Sequence, residues 1–180
     1  MAKKSKRPAR CYKKPPKHAY TRTAKRVVKK AFVRGVPNIV IFHFDMGKSG
    51  KAYKYIVKLV SKNPVQVRHN ALEATRIVVN RTIQKTIGVE NYHFQIRIYP
   101  HHVMRENAII SGAGADRLQT GMRHAFGRPI GKAARVKRNQ AMMTIKVNTK
   151  ANAEKARAAF KKITAKLPTP CAIVVEELKK

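Results

Sequence analysis

The apolar positions of this chain change period several times, and each change marks an element. From Ile39 to Phe44, β-branched and aromatic residues occupy both faces, the pattern of a buried strand ending at Asp45-Met46-Gly47. Tyr55 to Ser61 reads as a second strand. Asn70 with Glu73 three residues on makes a capping-box variant, and Leu72, Thr75, Val79 and Ile83 then recur at helical spacing until Gly88 ends the helix. Tyr92, Phe94, Ile96 and Ile98 alternate with His93, Gln95, Arg97 and Tyr99, which predicts a half-buried strand stopped by Pro100. Farther on, Met143, Ile145 and Val147 alternate with Thr144, Lys146 and Asn148. Ala156, Ala159, Phe160, Ile163 and Leu167 mark an amphipathic helix ended by Pro168, and Cys171 to Glu176 forms a closing strand. Strand, helix, strand therefore occurs twice. This predicts an α+β fold, a two-layer sandwich in which two crossover units share a mixed or antiparallel sheet with both helices on one face.

Between the two units the pattern breaks. Five of the nine glycines lie between residues 100 and 140, where they let bare backbone come close to a partner. A disordered tract would be poor in apolar residues, yet this one keeps Met104, Ile109, Ile110, Leu118, Met122 and Phe126 among its charges. Residues 100–140 are therefore expected to form a long, shaped loop held against something large.

Composition says what that something is. Among 180 residues, Lys and Arg number 41 against 8 Asp and Glu, a formal charge of +33 that calls for a polyanion. Nucleic acid outranks a membrane, because no apolar run reaches spanning length and the cations are spread over the whole chain. Cys11 and Cys171 stand far apart with no Cys-x-x-Cys pair, which fits a reducing cytoplasm and offers neither a disulfide framework nor a zinc ribbon. The first acidic residue is Asp45, so the stretch from Met1 to Arg34 carries nine lysines and five arginines with nothing to offset them. Tyr12, His18, Tyr20 and Phe32 are interleaved with those cations and supply flat faces for bases or sugars. Residues 1–37 are read as a basic RNA-binding arm, and residues 38–180 as a single α+β domain carrying the 100–140 loop.

Other chemistry fails on context. Gly47-Lys48-Ser49 imitates the end of a phosphate-binding loop, but the first glycine of that motif would fall at Phe42 and no helix follows; a basic hairpin turn is the better reading. Gly112-Ala113-Gly114 lacks the third glycine of a dinucleotide fingerprint. His93, His101, His102 and His124 have no carboxylate or thiol to complete a metal set. Cys11 has no base beside it, and the eight acids are scattered at element ends, where caps and ion pairs explain them. No enzyme activity, cofactor, metal or small-molecule substrate is expected. In the 100–140 segment, Arg105, Arg117, Arg123 and Arg128 offer planar forks to phosphate, while Asp116 beside Arg117 suits an internal bond.

Longer motifs settle the class. Arg7-Pro8-Ala9-Arg10-Cys11-Tyr12 and Ala19-Tyr20-Thr21-Arg22 lie in the arm, Arg34-Gly35-Val36-Pro37 and Phe44-Asp45-Met46-Gly47 near the first strand, and the run from Ala113 to Gly131 in the loop. In these the chain closely resembles, over nearly its whole length, the large-subunit ribosomal protein family numbered sixteen in bacteria and ten-e in archaea and eukaryotes. Ending at Lys180 soon after the last strand, it looks like an archaeal member. His124 and Arg128 stand where eukaryotic relatives more often carry Gly and Lys. The resemblance implies a cytoplasmic structural constituent of the large subunit, bound to rRNA and neighbouring ribosomal proteins, whose loop approaches the peptidyl-transferase region and the tRNAs there. It further implies RNA or tRNA contacts at Arg10, Tyr12, Tyr20, Arg22, Arg34, Arg117, Gln119, Arg123 and Arg128. The alternative from composition alone is a free, sequence-tolerant nucleic-acid-binding protein.

Overall fold

A computed structural model describes residues 8–23, 31–106 and 127–178. In chain order its elements are β1 (Asp45–Gly47), β2 (Tyr55–Ser61), β3 (Val65–Arg68), α1 (His69–Ile87), β4 (Tyr92–Ile96), β5 (His102–Glu106), β6 (Arg128–Val136), β7 (Ala141–Val147), α2 (Lys150–Ile163) and β8 (Cys171–Glu177). The strands form a five-stranded sheet in the order β1-β4-β7-β2-β8 and a three-stranded sheet in the order β3-β6-β5, with every pair antiparallel. Because β7 and β8 both run antiparallel to β2, they are parallel to each other with β2 between them; β2 and β4 flank β7 in the same way. The units β2-α1-β4 and β7-α2-β8 are thus split and interleaved, the predicted double crossover in antiparallel form.

The helical spacing does what it promised. Leu72, Thr75, Val79 and Ile83 are all fully buried along one face of α1. In α2 the buried stripe is Ala153, Ala156, Ala159, Phe160 and Ile163, small enough at three positions to let the helix pack beside α1. Lys155 Nζ donates to the Thr86 carbonyl at 3.2 Å, placing a cation at the negative end of α1. Phe94 on β4 meets Phe160 edge-on at 6.4 Å, both rings without exposure.

Four local expectations need correction. Asn70 and Glu73 form no capping box: β3 runs straight into α1, so Arg68, still extended and paired with Ala133, takes the N-cap position and its side chain does not cap the helix. Glu73 instead receives Arg76, Nε at 2.9 Å and Nη2 at 2.6 Å, and this bonded guanidinium holds its carboxyl below the usual range. A side-chain cap does exist at α2, where Thr149 accepts from the Asn152 amide at 3.3 Å.

Second, Ile39–Phe44 is not a strand. Ile41 is fully buried and Phe44 packs partly buried against the core, but Val40 and Phe42 are exposed, and sheet pairing begins at Asp45. Third, the turn at Gly47 joins no hairpin, since β1 pairs with β4 and lies three strands from β2. Its lysines, Lys48 and Lys51, reach Glu90 at 3.4 and 3.7 Å.

Fourth, the 100–140 segment is not loop throughout. Its two ends are β5 and β6, paired from His102↔Ala133 to Glu106↔Arg128. The register slips between Met104↔Gly131 and Arg105↔Pro129, leaving Ile130 as the extra residue of a bulge. Pro129 is tolerated because β3 pairs only with Ala133–Val136, so β6 has one neighbour at that point.

Candidate nucleic-acid interface

Alternation on the small sheet divides its faces. Val65 and Val67 of β3, with Ala134 and Val136 of β6, turn into the core. The opposite face carries Gln66 and Arg68 of β3, Arg135 of β6 and His102 of β5, since Gln66↔Arg135 and His102↔Ala133 are direct cross-strand partners. The arm lies across this second face.

The arm's attachments can be followed along its length. A short 3-10 turn, Ala9–Tyr12, brings the Tyr12 hydroxyl to Glu106 Oε2 at 2.8 Å, and the Arg68 guanidinium covers the Tyr12 ring at 5.1 Å. The Lys13 carbonyl then accepts from the Gln66 amide at 3.1 Å on the free edge of β3. Midway, Arg135 Nη2 donates to the Pro16 and Lys17 carbonyls at 2.9 and 3.0 Å. At the far edge Tyr20 makes two bonds: its amide donates to His102 Nδ1 at 2.9 Å, and its carbonyl accepts from the Val103 amide at 3.0 Å. The arm is a strap from the β3 edge to the β5 edge, anchored by backbone groups at both margins.

Beyond Tyr20 the cations and rings alternate in a column. Arg105 lies over the Tyr20 ring at 3.8 Å, Tyr20 meets Phe32 edge-on at 6.3 Å, and Arg22 lies over Phe32 at 5.3 Å. Two guanidinium groups that would repel each other are separated by two aromatic faces. Backbone closure follows, with the Val33 amide donating to the Arg22 carbonyl at 2.9 Å and Val33 itself buried.

The residues expected to touch RNA thus separate into groups. Tyr12 and Tyr20 are half-buried, and their rings already hold protein partners: they fasten the arm. Arg10, Arg22, Arg34 and Arg128 are exposed, three along the arm and one at the start of β6. Arg117, Gln119 and Arg123, with Asp116 and the Gly112-Ala113-Gly114 run, lie outside the described residues. Sequence reasoning missed Gln66, Arg68, His102 and Glu106 as the surface that receives the arm, and Arg135 as its central tie. No local signal could have found them, because each acts across more than fifty residues of chain.

Histidines and cysteines have structural company. His69 Nδ1 accepts from the Val40 amide at 3.2 Å, and His93 Nε2 lies 3.3 Å from Asp45 Oδ1. Cys11 is exposed, whereas burial pushes the Cys171 thiol up to about 11, which makes it a poor nucleophile. No described helix is long and apolar enough to cross a membrane.

A basic strap thus lies over the three-stranded sheet β3-β6-β5. Residues 15–174, from within the strap to within β8, match the family model described as ribosomal protein L16p/L10e. The chain belongs to that family. Among its curated relatives, the large ribosomal subunit protein uL16 of Staphylothermus marinus is 45% identical over 96% of this chain and 95% of its own length. The protein of the same name from Methanocella arvoryzae is 45% identical over 96% of each chain, and that from Hyperthermus butylicus 44% over 96% of this chain and 94% of its own. The match to the family spans the Ala113–Gly131 run, and the relatives are archaeal, as expected.

Proposed function

We propose that this chain is a structural constituent of the large ribosomal subunit in the cytoplasm, bound to rRNA and to neighbouring ribosomal proteins. In this role the exposed Arg10, Arg22, Arg34 and Arg128 neutralise rRNA phosphates, while Tyr12 and Tyr20 hold the strap that presents them. The segment between β5 and β6, with Arg117, Gln119 and Arg123, positions tRNA near the peptidyl-transferase region. Catalysis there belongs to RNA, and the protein supplies charge and placement.

One observation carries this reading: the strap and the paired strands β5 and β6 are a single bonded unit, so RNA bound along the arm holds the two strands that flank the Arg117–Arg123 stretch. The relatives' shared name supports the large subunit as the setting. The test is quantitative mass spectrometry across a sucrose gradient of cell lysate in moderately high salt. One copy per particle in the large-subunit peak is expected. A chain that washes to the top, or spreads over nucleic acid of all sizes, is a free nucleic-acid binder instead, because loosely held phosphate contacts fail steeply with salt.

A further inference from the structure

Of the four sheet margins among the described residues, three are closed. β1 is only three residues long and ends at left-handed Gly47. The amides of Gln66 on β3 and Val103 on β5 both donate to the arm. β8 is the fourth margin: seven residues, paired with β2 alone in unbroken register from Tyr55↔Glu177 to Ser61↔Cys171. Proteins ordinarily protect such a strand with lysine, proline or a bulge, and Cys171-Ala172-Ile173-Val174-Val175-Glu176-Glu177 has none of these.

The register identifies the open backbone groups. One position beyond each end of the ladder, the Lys62 amide donates to the Pro170 carbonyl at 3.1 Å and the Leu178 amide to the Lys54 carbonyl at 2.7 Å. Bonded and non-bonded pairs alternate inward from these two. Ala172, Val174 and Glu176 therefore turn their backbone groups to β2, while Cys171, Ile173, Val175 and Glu177 turn theirs away. No backbone bond among the described residues reaches that side.

Side chains suit the same margin to a partner strand. Val174 and Val175, on opposite faces of β8, are 38% and 45% exposed. On the α2 side a groove of about 480 Å³ runs between Glu154, Arg157, Ala158 and Lys161 of the helix and Cys171 and Ile173 of the strand. Arg157 and Lys161 can lend it their aliphatic stems. Three of the chain's eight acids, Glu154, Glu176 and Glu177, gather here; Lys58 takes Glu176, and no cation among the described residues takes the other two. Exposed carboxylates repel phosphate, so this margin turns away from RNA. A second copy of the chain is disfavoured by the repulsion between two charges of +33.

We infer that β8 accepts an extended, apolar segment with flanking basic residues from a neighbouring ribosomal protein, which adds as a sixth strand to the large sheet. Its backbone bonds Cys171, Ile173, Val175 and Glu177, its apolar side chains cover Val174 and Val175, and its cations meet Glu154 and Glu177. The inference rests on the ribosomal reading above for the source of the strand.

The experiment titrates the full-length, ¹⁵N-labelled chain with a capped peptide in which three valines alternate with two threonines between pairs of lysines, and with a twin carrying glutamate pairs instead. Saturating shifts are expected at the Cys171, Ile173, Val175 and Glu177 amides, with the lysine peptide about tenfold the tighter, the worth of two exposed ion pairs. Glu154→Lys with Glu177→Lys, both at exposed positions, should reverse that preference. Val175→Pro removes a donor that β2 does not use and should abolish binding. A lysine peptide with prolines at two consecutive central positions, one of which must face β8, should fail on the unaltered chain. Equal affinity for the lysine and glutamate peptides, or undiminished binding of the proline peptide, overturns the site; stronger shifts of the same four amides with hexauridine assign the margin to RNA and overturn it too. In cells, Val174 is replaced by the photo-crosslinking residue benzoylphenylalanine. A crosslink to another protein within the large-subunit peak is expected, and crosslinks only to rRNA, to a second copy or within the chain overturn the inference while leaving the ribosomal reading. A chain absent from that peak that still takes the lysine peptide at β8 overturns the ribosomal reading and leaves the strand-accepting margin.

Discussion

The Tyr12 hydroxyl donates to Glu106 Oε2 at 2.8 Å, joining the arm to the last residue of β5 across 94 positions of sequence. Arg68 lies over the same ring, so Tyr12 ties the arm to both edge strands of the small sheet. Tyr12→Phe keeps the ring under Arg68 and deletes only the bond. A partly buried hydrogen bond to a carboxylate is worth about 1 kcal/mol after discounting for exposure. The variant should melt at a lower temperature, and proteases should cut its arm faster while leaving α1 and α2 intact. Unchanged proteolysis would mean that Tyr12 does not hold the strap.

His102 makes the other end of the strap sensitive to pH. Burial first, then the nearby Arg135 and Arg105, hold its pKa below the ordinary imidazole value of 6.5. Its neutral Nδ1 accepts from the Tyr20 amide, a bond that protonation abolishes. The unfolded chain takes up this proton more readily than the folded one. The stabilisation is therefore complete above the unfolded value and is lost as pH falls through the folded one. Melting temperature should drop from neutral to mildly acid pH. His102→Asn, whose side-chain oxygen can still accept, should drop less steeply; parallel slopes would remove His102 as the cause.

The Phe44-Asp45-Met46-Gly47 motif has a backbone reason at its last position. Gly47 holds φ +85°, and a Cβ there would lie 2.3 Å from the Tyr92 carbonyl oxygen, which already accepts from the Lys48 amide. Neither atom can give way, since Tyr92 is fully buried in β4 and its hydroxyl is bonded to Asn80 at 2.8 Å. Gly47→Ala should cost about 3 kcal/mol or more, left-handed strain and overpacking combined. Gly50→Ala is the control: φ is +86° but the space is open, so about 1 kcal/mol of strain is expected. Comparable denaturation midpoints for the two would contradict the close contact.

What could be read from sequence was whatever repeats over many residues. The face Leu72, Thr75, Val79 and Ile83 recurs through about three turns of α1, and Tyr92, Phe94 and Ile96 alternate through β4. β3 is four residues long and passes directly into a helix, too short for any period to register. β5 and β6 were hidden because Pro129 and Gly131 read as loop residues, whereas a bulge and a single-neighbour stretch accommodate them. Gly131 packs against His69, where a Cβ would stand 3.1 Å from Nε2, so its role is packing as much as chain reversal. At the interface, composition and aromatic interleaving pointed to Tyr12 and Tyr20 as special. That Arg68 and Arg105 take those rings is a tertiary fact with no local signature.

The register of β5 with β6 makes the extension removable. Glu106 lies directly opposite Arg128, so deleting residues 110–127 leaves Asn107, Ala108 and Ile109 to join paired neighbours, a connection within the usual two to five residues of a hairpin. The buried core draws on the two helices and two sheets and loses nothing described by the cut. The shortened chain should therefore fold, keep its strap bonds at Glu106, His102 and Arg135, and sediment with the large subunit, while particles carrying it bind tRNA several-fold more weakly and translate slowly. Ribosome profiles and tRNA filter binding separate the two effects. Normal tRNA affinity in fully assembled particles would remove the segment from tRNA positioning, and unfolding of the shortened chain would show that the tip, not the paired root, holds β5 and β6 together.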